Sequence, residues 1–456
     1  MIIKNAVVFT EQGTFEKKDI YIKDGRFRAV DCLIKEDAFR QSDDAIEKAC
    51  GTAGENSNKE DIFSEEEIID AEGLIAIPGL IDLHFHGCVG VDFCDGTKEA
   101  FETITKYQAQ QGITTLCPAT MTIGEKSLLK VCEEVRVFIE EKAFIEEKAF
   151  MEKKSFIEGK SFIEKKFRQD QNNQVKEVEL QEDQLQASKL QESQSQTDKA
   201  HEAQIVGINM EGPFICRAKK GAQNEAYIRE VDLDLYRRMQ AASGNLIKLV
   251  DLAPELEGAM GFIEAVKDEV VISLAHTNAD YETAMAAFES GASHVTHLYN
   301  AMPPYTHRAP GVVGAASDSA HCTVELICDG IHIHPSVVRN TFRMFGKERI
   351  TLISDSMMAT GLSDGEYMLG GQKVYVKGKK ATLADGTVAG SVSNLLDCVR
   401  TCVKEMGIPL EEAIWSATVT PAKVLGIFEE RGSITPGKIA HLVLLNKDLE
   451  VQRVYC

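Results

Sequence analysis

The stretch Pro78-Gly79-Leu80-Ile81-Asp82-Leu83-His84-Phe85-His86-Gly87 sets two histidines two residues apart at the end of an apolar run. Read as a strand, with side chains alternating across it, it puts Asp82, His84 and His86 on one face and Ile81, Leu83 and Phe85 on the other. Two imidazoles side by side, where a core strand would carry Val or Ile, suit a metal-binding strand. They also suit a pair of hydrogen-bonded polar residues at a strand end, and the HxH pattern alone does not separate the two readings. The runs downstream shift the balance toward metal.

Ile205-Val206-Gly207-Ile208 leads into Asn209-Met210-Glu211-Gly212-Pro213-Phe214, so a carboxylate stands where a buried strand meets a turn. The runs from Val270 to Thr277 and from Ala292 to Asn300 carry His276 and His297 near their C-terminal ends. In the second run His294 and His297 fall on opposite faces of a strand, so at most one joins the inward set, and His294 reads as a polar residue at a strand edge. A further apolar run, Ile350-Thr351-Leu352-Ile353-Ser354, ends in Asp355. Polar residues placed repeatedly at strand C-termini are the layout of a (β/α)₈ active site, and that barrel is the expected fold.

The motifs PGLIDLHFHG, NMEGPF followed by KKGAQN, LAHTNADY, VTHLYNAMPPYTHRAPG, ICDGIHIHP, LISDSMMATGLSDGEY and DGTVAGS occur in this order. With them the chain resembles the amidohydrolase superfamily and, within it, the N-acetylglucosamine-6-phosphate deacetylase family, over most of its length outside two insertions. HLYNAMPP with the downstream Arg308, and the Glu of EGPF, separate this family from its relatives better than HxH does. The resemblance implies that Glu211, His276 and His297 are the principal metal ligands. Two His and a carboxylate with an open position suit hydrolytic Zn²⁺, or Fe²⁺. Family members that keep the HxH bind two ions and members that lose it bind one, so His84 and His86 leave room for a second ion here.

The same resemblance makes Asp355 the catalytic acid/base. It assigns Ala222, Gln223, Asn300, Ala301, Arg308, the segment Asp329, Gly330, Ile331 and His332, and Val388, Ala389 and Gly390 to the sugar phosphate. The residues alone do not rank the two HxH pairs as metal sites; the resemblance gives the first to metal and His332 to substrate, and leaves His334 without a role. Many family members carry His where this chain has Gln223, whose amide donates a hydrogen bond but carries no proton. His441 likewise replaces the usual Asp of the closing strand pair.

The implied reaction is hydrolysis of the acetamido group of N-acetyl-D-glucosamine 6-phosphate to the amine and acetate, in amino-sugar catabolism. Its chemistry fits these residue types. An amide carbonyl is a poor electrophile, and a bound divalent metal polarises it and lowers the pKa of water to about 7. A carboxylate such as Asp355 can take the water proton and deliver it to the departing nitrogen. Arg308 offers the planar fork of donors that suits phosphate, or else is a solvated loop charge. Two other readings stand beside this one. A cyclic amide hydrolase or deaminase of the same superfamily usually has a modified Lys, or no equivalent, at the position of Glu211, and lacks HLYNAMPP. An inactive relative serving as an oligomeric scaffold usually loses ligands or the acid.

At 456 residues the chain exceeds one barrel and leaves room for a small second domain. Runs such as Asp19-Ile20-Tyr21-Ile22-Lys23-Asp24-Gly25 read as hairpins. The expected division is a small β-sandwich domain from residues 1–77 and 430–456, with the barrel at 78–429. Residues 35–67, with 11 acidic and 4 basic side chains, read as an acidic insertion. Residues 133–204 read as a low-complexity insertion, because Phe138, Phe144, Phe150, Phe156 and Phe162 recur every six residues. A period of six rotates these rings around a helix and builds no single apolar stripe.

The net charge of −21 argues against nucleic acid and an anionic membrane surface as partners. An anionic sugar phosphate then needs local positive charge, and Arg308 is the leading candidate. Twelve cysteines without paired metal-ribbon spacing, no stretch of 18 apolar residues and no signal peptide give a cytoplasmic protein with free thiols as the expectation. Cys88 and Cys94, just after the HxH, read as packing residues, as do Cys398 and Cys402 one helical turn apart. A homodimer is expected, because in the family the phosphate-binding Arg can come from the neighbouring subunit.

Overall fold

The computed structural model describes residues 1–31, 67–145, 148 and 202–456. Most of the acidic insertion and most of the low-complexity insertion lie outside the described residues. Leu80–Asp82, Ile113–Leu116 and Gln204–Ile205 form one parallel sheet, and Ile208–Glu211, Ile247–Leu252, Val271–Leu274, His294–Val295, Thr323–Ile327 and Ile350–Ile353 form another. A parallel bridge between Ala119 and Asn209 joins the two sheets. At the other seam the Asp355 amide donates to the His84 carbonyl (2.9 Å) and the His86 amide to the Ser356 carbonyl (2.7 Å). The sheets therefore close on each other as the expected barrel, with helices outside it.

The helices begin where the sequence supplies caps. Thr97, Asp232, Asp280 and Asn394 each accept a backbone N–H in the first turn of the helix that follows. Helix 125–145 buries Leu128, Val131, Val135 and Phe138, spaced three and four residues apart. It therefore crosses the insertion boundary expected at 133. Phe138 packs on Phe101 with ring centroids 5.5 Å apart, while Phe144 is exposed. The first Phe of the six-residue series is thus a core residue of the barrel.

The chain ends meet in a seven-stranded sheet, ordered Val451–Tyr455, Leu442–Leu445, Ile75–Pro78, Ile2–Phe9, Phe15–Lys23 and Arg26–Asp31, with Ile68–Asp70 also paired to Ile2–Phe9. Its period-two alternation serves two cores. Ile77, Val443 and Leu445 pack into the main core with the barrel helices, whereas Ala76, Leu442 and Leu444 pack with Ile3, Ile20 and Phe27. Gly79 joins this sheet to the barrel at a point where a Cβ would lie 2.0 Å from Thr114 Oγ1, so the close approach requires glycine.

At this junction Arg431 Nη1 donates to His441 Nδ1 (3.2 Å), which lies 3.1 Å from Thr114 Oγ1. Burial, and then the Arg431 charge, push His441 down to about 3, so the imidazole is neutral. The unfolded chain binds a proton at His441 below about 6.5 and the folded chain does not. Its stabilising contribution is full above that pH and is lost as pH falls toward the folded value. Metal-free wild type should lose about 2 kcal/mol more than His441→Gln between pH 7.5 and pH 5 in urea unfolding. Equal losses would show that the imidazole is not held neutral.

Candidate metal centre and active site

The HxH segment departs from its expected geometry. The strand ends at Asp82, and the alternation lapses after Leu83. The Asp82 carboxylate accepts from Ser354 Oγ (2.5 Å), and burial pushes it up to about 7. Ile81 and Leu83 pack together with Leu249, Ile327 and Ile353, and Phe85 joins the main core. The irregular backbone after Asp82 is what turns His84 and His86 to the barrel mouth, without Asp82.

There they meet Glu211, at the end of its strand. Glu211 Oε1 lies 3.0 Å from His276 Nε2, 3.2 Å from His297 Nε2 and 3.6 Å from His84 Nε2, and Oε2 lies 3.4 Å from His86 Nε2. The two imidazole Nε2 atoms of His276 and His297 are 3.1 Å apart. Burial opposes a charge on Glu211, but His84, His276 and His297 outweigh it and hold the carboxyl well below its usual range. His276, His297 and Asp355 all take left-handed backbone conformations (φ 43°, 30° and 47°), strained for residues with a Cβ.

The donor set fits a divalent metal. The Lys219 carbonyl can only accept, so His276 Nδ1, 2.9 Å away, carries a proton, which leaves Nε2 as the ring atom available to a metal ion. Nε2 faces the Glu211 carboxylate 3.0 Å away, a pairing that either a proton on Nε2 or a metal ion between the two atoms satisfies. Ligand atoms about 2.0–2.1 Å from a tetrahedral ion are about 3.3 Å from one another, close to the separations among Glu211, His276 and His297. Among the described residues two groups converge in this way, Glu211 with His276 and His297, and His84 with His86 and Glu211. Cys88 and Cys94 belong to neither; burial pushes the Cys88 thiol up to about 12, and Cys94 Sγ accepts from the Met121 amide.

Asp355 faces these groups. Its Oδ1 lies 3.3 Å from His86 Nε2 and 4.0 Å from His84 Nε2. Burial works against its ionisation, but the hydrogen bond from His86 and the charges of His84 and His86 hold it below the usual carboxylate range. Gln223 is tied at both ends. Its Oε1 accepts from the Thr122 amide (2.7 Å), which fixes the orientation of the side-chain amide, so Nε2 donates to Glu211 Oε2 (2.6 Å). The amide thus braces the Glu211 carboxylate.

A cavity of about 350 Å³ opens over the centre, lined by His86, Glu211, Ala222, Gln223, His276, His297, Asn300, Ala301, His332, Asp355, Val388 and Gly390. Asp329 orients His332: its Oδ2 lies 2.8 Å from His332 Nδ1, and Oδ1 accepts the Ile331 and His332 amides. His84, Asp329, Gly330, Ile331 and Ala389 lie outside that lining, and Arg308 stands exposed on the 303–309 loop beyond it. His334, left without a role by the sequence, caps the helix Pro335–Phe345 by accepting from the Ser336 amide. Sequence reasoning missed Lys219, Met121, Leu369 and Thr387 in the lining. Leu369 and Thr387 come with a three-stranded antiparallel sheet, Gly365–Leu369, Gln372–Lys377 and Lys380–Thr382, whose alternating run Gln372-Lys373-Val374-Tyr375-Val376-Lys377 was the available signal.

The amidohydrolase family model matches residues 75–456. The chain belongs to the amidohydrolase family. Among curated relatives it is 33% identical over 395 residues to the N-acetylglucosamine-6-phosphate deacetylase of Bacillus subtilis (strain 168), covering 86% of each chain. It is 30% identical over 387 residues to the N-acetylgalactosamine-6-phosphate deacetylase of Escherichia coli O157:H7, covering 85% of this chain and 87% of that one. Among solved structures it superposes on the N-acetylglucosamine-6-phosphate deacetylase of Pasteurella multocida with a TM-score of 0.76 at 25% identity, covering 100% of this chain and 97% of that one. A mutant of the Mycobacterium smegmatis deacetylase in complex with N-acetyl-D-glucosamine-6-phosphate gives 0.75 at 26% identity, with the same coverage. In this amidohydrolase no helix among the described residues is long and apolar enough to cross a membrane.

Proposed function

We propose that this amidohydrolase hydrolyses the acetamido group of N-acetyl-D-glucosamine 6-phosphate to D-glucosamine 6-phosphate and acetate, as a cytosolic enzyme of amino-sugar catabolism. The observation that carries the proposal is the convergence of Glu211, His276 and His297 on one point, with Asp355 facing them across a cavity and deacetylases of this substrate among the relatives. Glu211, His276 and His297 would hold a divalent ion, zinc or iron, and His84 and His86 a second. Bound there, the metal supplies Lewis-acid polarisation of the amide carbonyl and acidifies water. The chain supplies the proton traffic. Asp355 takes the proton of the attacking water on its carboxylate and delivers it to the departing nitrogen, so the amine leaves neutral.

Asn300, Ala301, His332, Val388 and Gly390 line the side of the cavity toward which we place the sugar phosphate. The side-chain amide of Asn300 donates to the His297 and Leu298 carbonyls, which ties the substrate wall to a metal-binding residue. Arg308 is exposed and outside the cavity lining of its own subunit; in the homodimer we propose, it would meet the phosphate in the neighbouring subunit. The intact ligand set and acid speak against an inactive scaffold.

The test is acetate release from N-acetylglucosamine 6-phosphate by metal-free and metal-loaded protein, with unphosphorylated N-acetylglucosamine as control. Metal-dependent release from the phosphorylated sugar alone is expected. Bound metal without release would overturn the reading. N-acetylgalactosamine 6-phosphate belongs in the same assay, because the Escherichia coli relative acts on that epimer by name.

A further inference from the structure

We infer that Glu325 is the positioning carboxylate of the His84/His86 half of the metal centre, and that it ties this half to the half built on His297. The inference rests on the metal reading above and deepens it. Glu325 sits in the strand Thr323–Ile327, fully buried. Its Oε2 lies 3.0 Å from His84 Nδ1 and accepts the His297 amide at 2.9 Å. Its Oε1 lies 3.3 Å from His294 Nε2, whose ring is braced in turn by Thr323 Oγ1, 2.6 Å from Nδ1. One side chain thus grips the backbone of one metal-binding histidine and the ring of another.

The consequence for His84 follows from donor and acceptor counting. An ionised carboxylate only accepts, so His84 Nδ1 carries a proton, and at Nε2 a metal ion would take the place of a second one. That Nε2 is buried with no hydrogen-bond partner. It faces Glu211 Oε1 at 3.6 Å and Asp355 Oδ1 at 4.0 Å. Both separations exceed the roughly 2.7–2.9 Å of a charge-assisted N–H···O bond, so a proton on Nε2 would bond poorly to either oxygen. The Glu211 separation is near the roughly 3.3–3.5 Å between ligand atoms around one tetrahedral zinc. A carboxylate holding the far nitrogen of a metal-ligating histidine fixes its tautomer and ring orientation and raises its basicity.

Glu325→Gln tests this with little disturbance. The amide oxygen can keep the two donors now on Oε2, while the amide nitrogen faces His294, whose tautomer can shift to accept because Thr323 Oγ1 both donates and accepts. Metal-free wild type and Glu325→Gln would be titrated with Zn²⁺ against a chromophoric chelator, with bound ions counted by elemental analysis and the fold checked by thermal melting. Wild type should bind two ions. In Glu325→Gln the second ion should bind about 10–100-fold more weakly while the first binds as before. A second ion held equally tightly by the variant would overturn the inference, as would a wild type that binds a single ion, since His84 would then bridge two carboxylates as a protonated ring. A wild type that binds no ion would overturn the proposed function as well. Glu325→Leu, which removes every acceptor, should lose the second ion outright, and the isosteric variant carries the test if the leucine protein fails to fold.

Discussion

Asp355→Asn should lower kcat by about 10²–10⁴-fold while metal content stays at the wild-type level. The asparagine keeps the shape of the side chain and an acceptor oxygen toward His86 Nε2, now 3.3 Å from Oδ1, so the local packing survives. The amide cannot take a proton from water or hand one to nitrogen. The residue lies outside both groups that converge as metal ligands, so metal binding gives an independent control. Its left-handed backbone, with the amide donating to the His84 carbonyl and the carbonyl accepting from Ser391, is made by main-chain bonds that the substitution leaves alone. KM for the phosphorylated sugar should change little, because the lost interaction belongs to proton transfer rather than to ground-state binding. Elemental analysis beside steady-state acetate release decides the matter, and a variant with near-normal kcat would end the acid/base assignment.

The barrel, and which polar residues face its mouth, were legible because chemistry sits at strand ends while apolar runs mark the strands themselves. His276, His297, Glu211 and Asp355 each close such a run, and the structure brings all four to one cavity. Strand alternation placed His84 and His86 correctly for an incorrect reason. It holds only as far as Leu83; beyond it the two imidazoles are placed by main-chain bonds to Asp355 and Ser356, some 270 residues away, which no local pattern encodes. Glu325 was invisible for a related reason. A single acid within Thr323-Val324-Glu325-Leu326-Ile327 is a weak signal, and its meaning lies in its contacts with His84, His294 and His297 from other strands.

Gln223 shows the limit of argument by residue type. Its amide was weighed for what it could offer a substrate, yet both its oxygen and its nitrogen are engaged by the protein. The six-residue Phe spacing misled at its first member, because Phe138 also continues the three-and-four spacing of Leu128, Val131 and Val135. A residue shared by two periodicities is decided by the surface it meets, here the ring of Phe101.

Glu211→Gln should have the widest effect of any single change at the centre. Glu211 is the one carboxylate common to both converging groups, and it stands among four imidazoles. The substitution removes the only negative ligand of each group and leaves lone pairs that the Lys219 carbonyl and Glu325 have already oriented inward. Removing one partner of a buried charge pair costs about 3–5 kcal/mol, which corresponds to a loss of metal affinity of about 10²–10⁴-fold. Gln223 sharpens the outcome. Its Nε2, held toward position 211 by the Thr122 amide, now donates to Oε2, and a glutamine placed there must turn its own carbonyl toward Gln223 to avoid donor facing donor. Its nitrogen then points at His276 and His297, a donor where a metal ligand is needed. Chelator competition should therefore show both ions weakened together and acetate release lost with them, in contrast to Asp355→Asn, which keeps the metal and loses turnover. Retention of one tight ion by Glu211→Gln would mean that the two groups do not share this carboxylate.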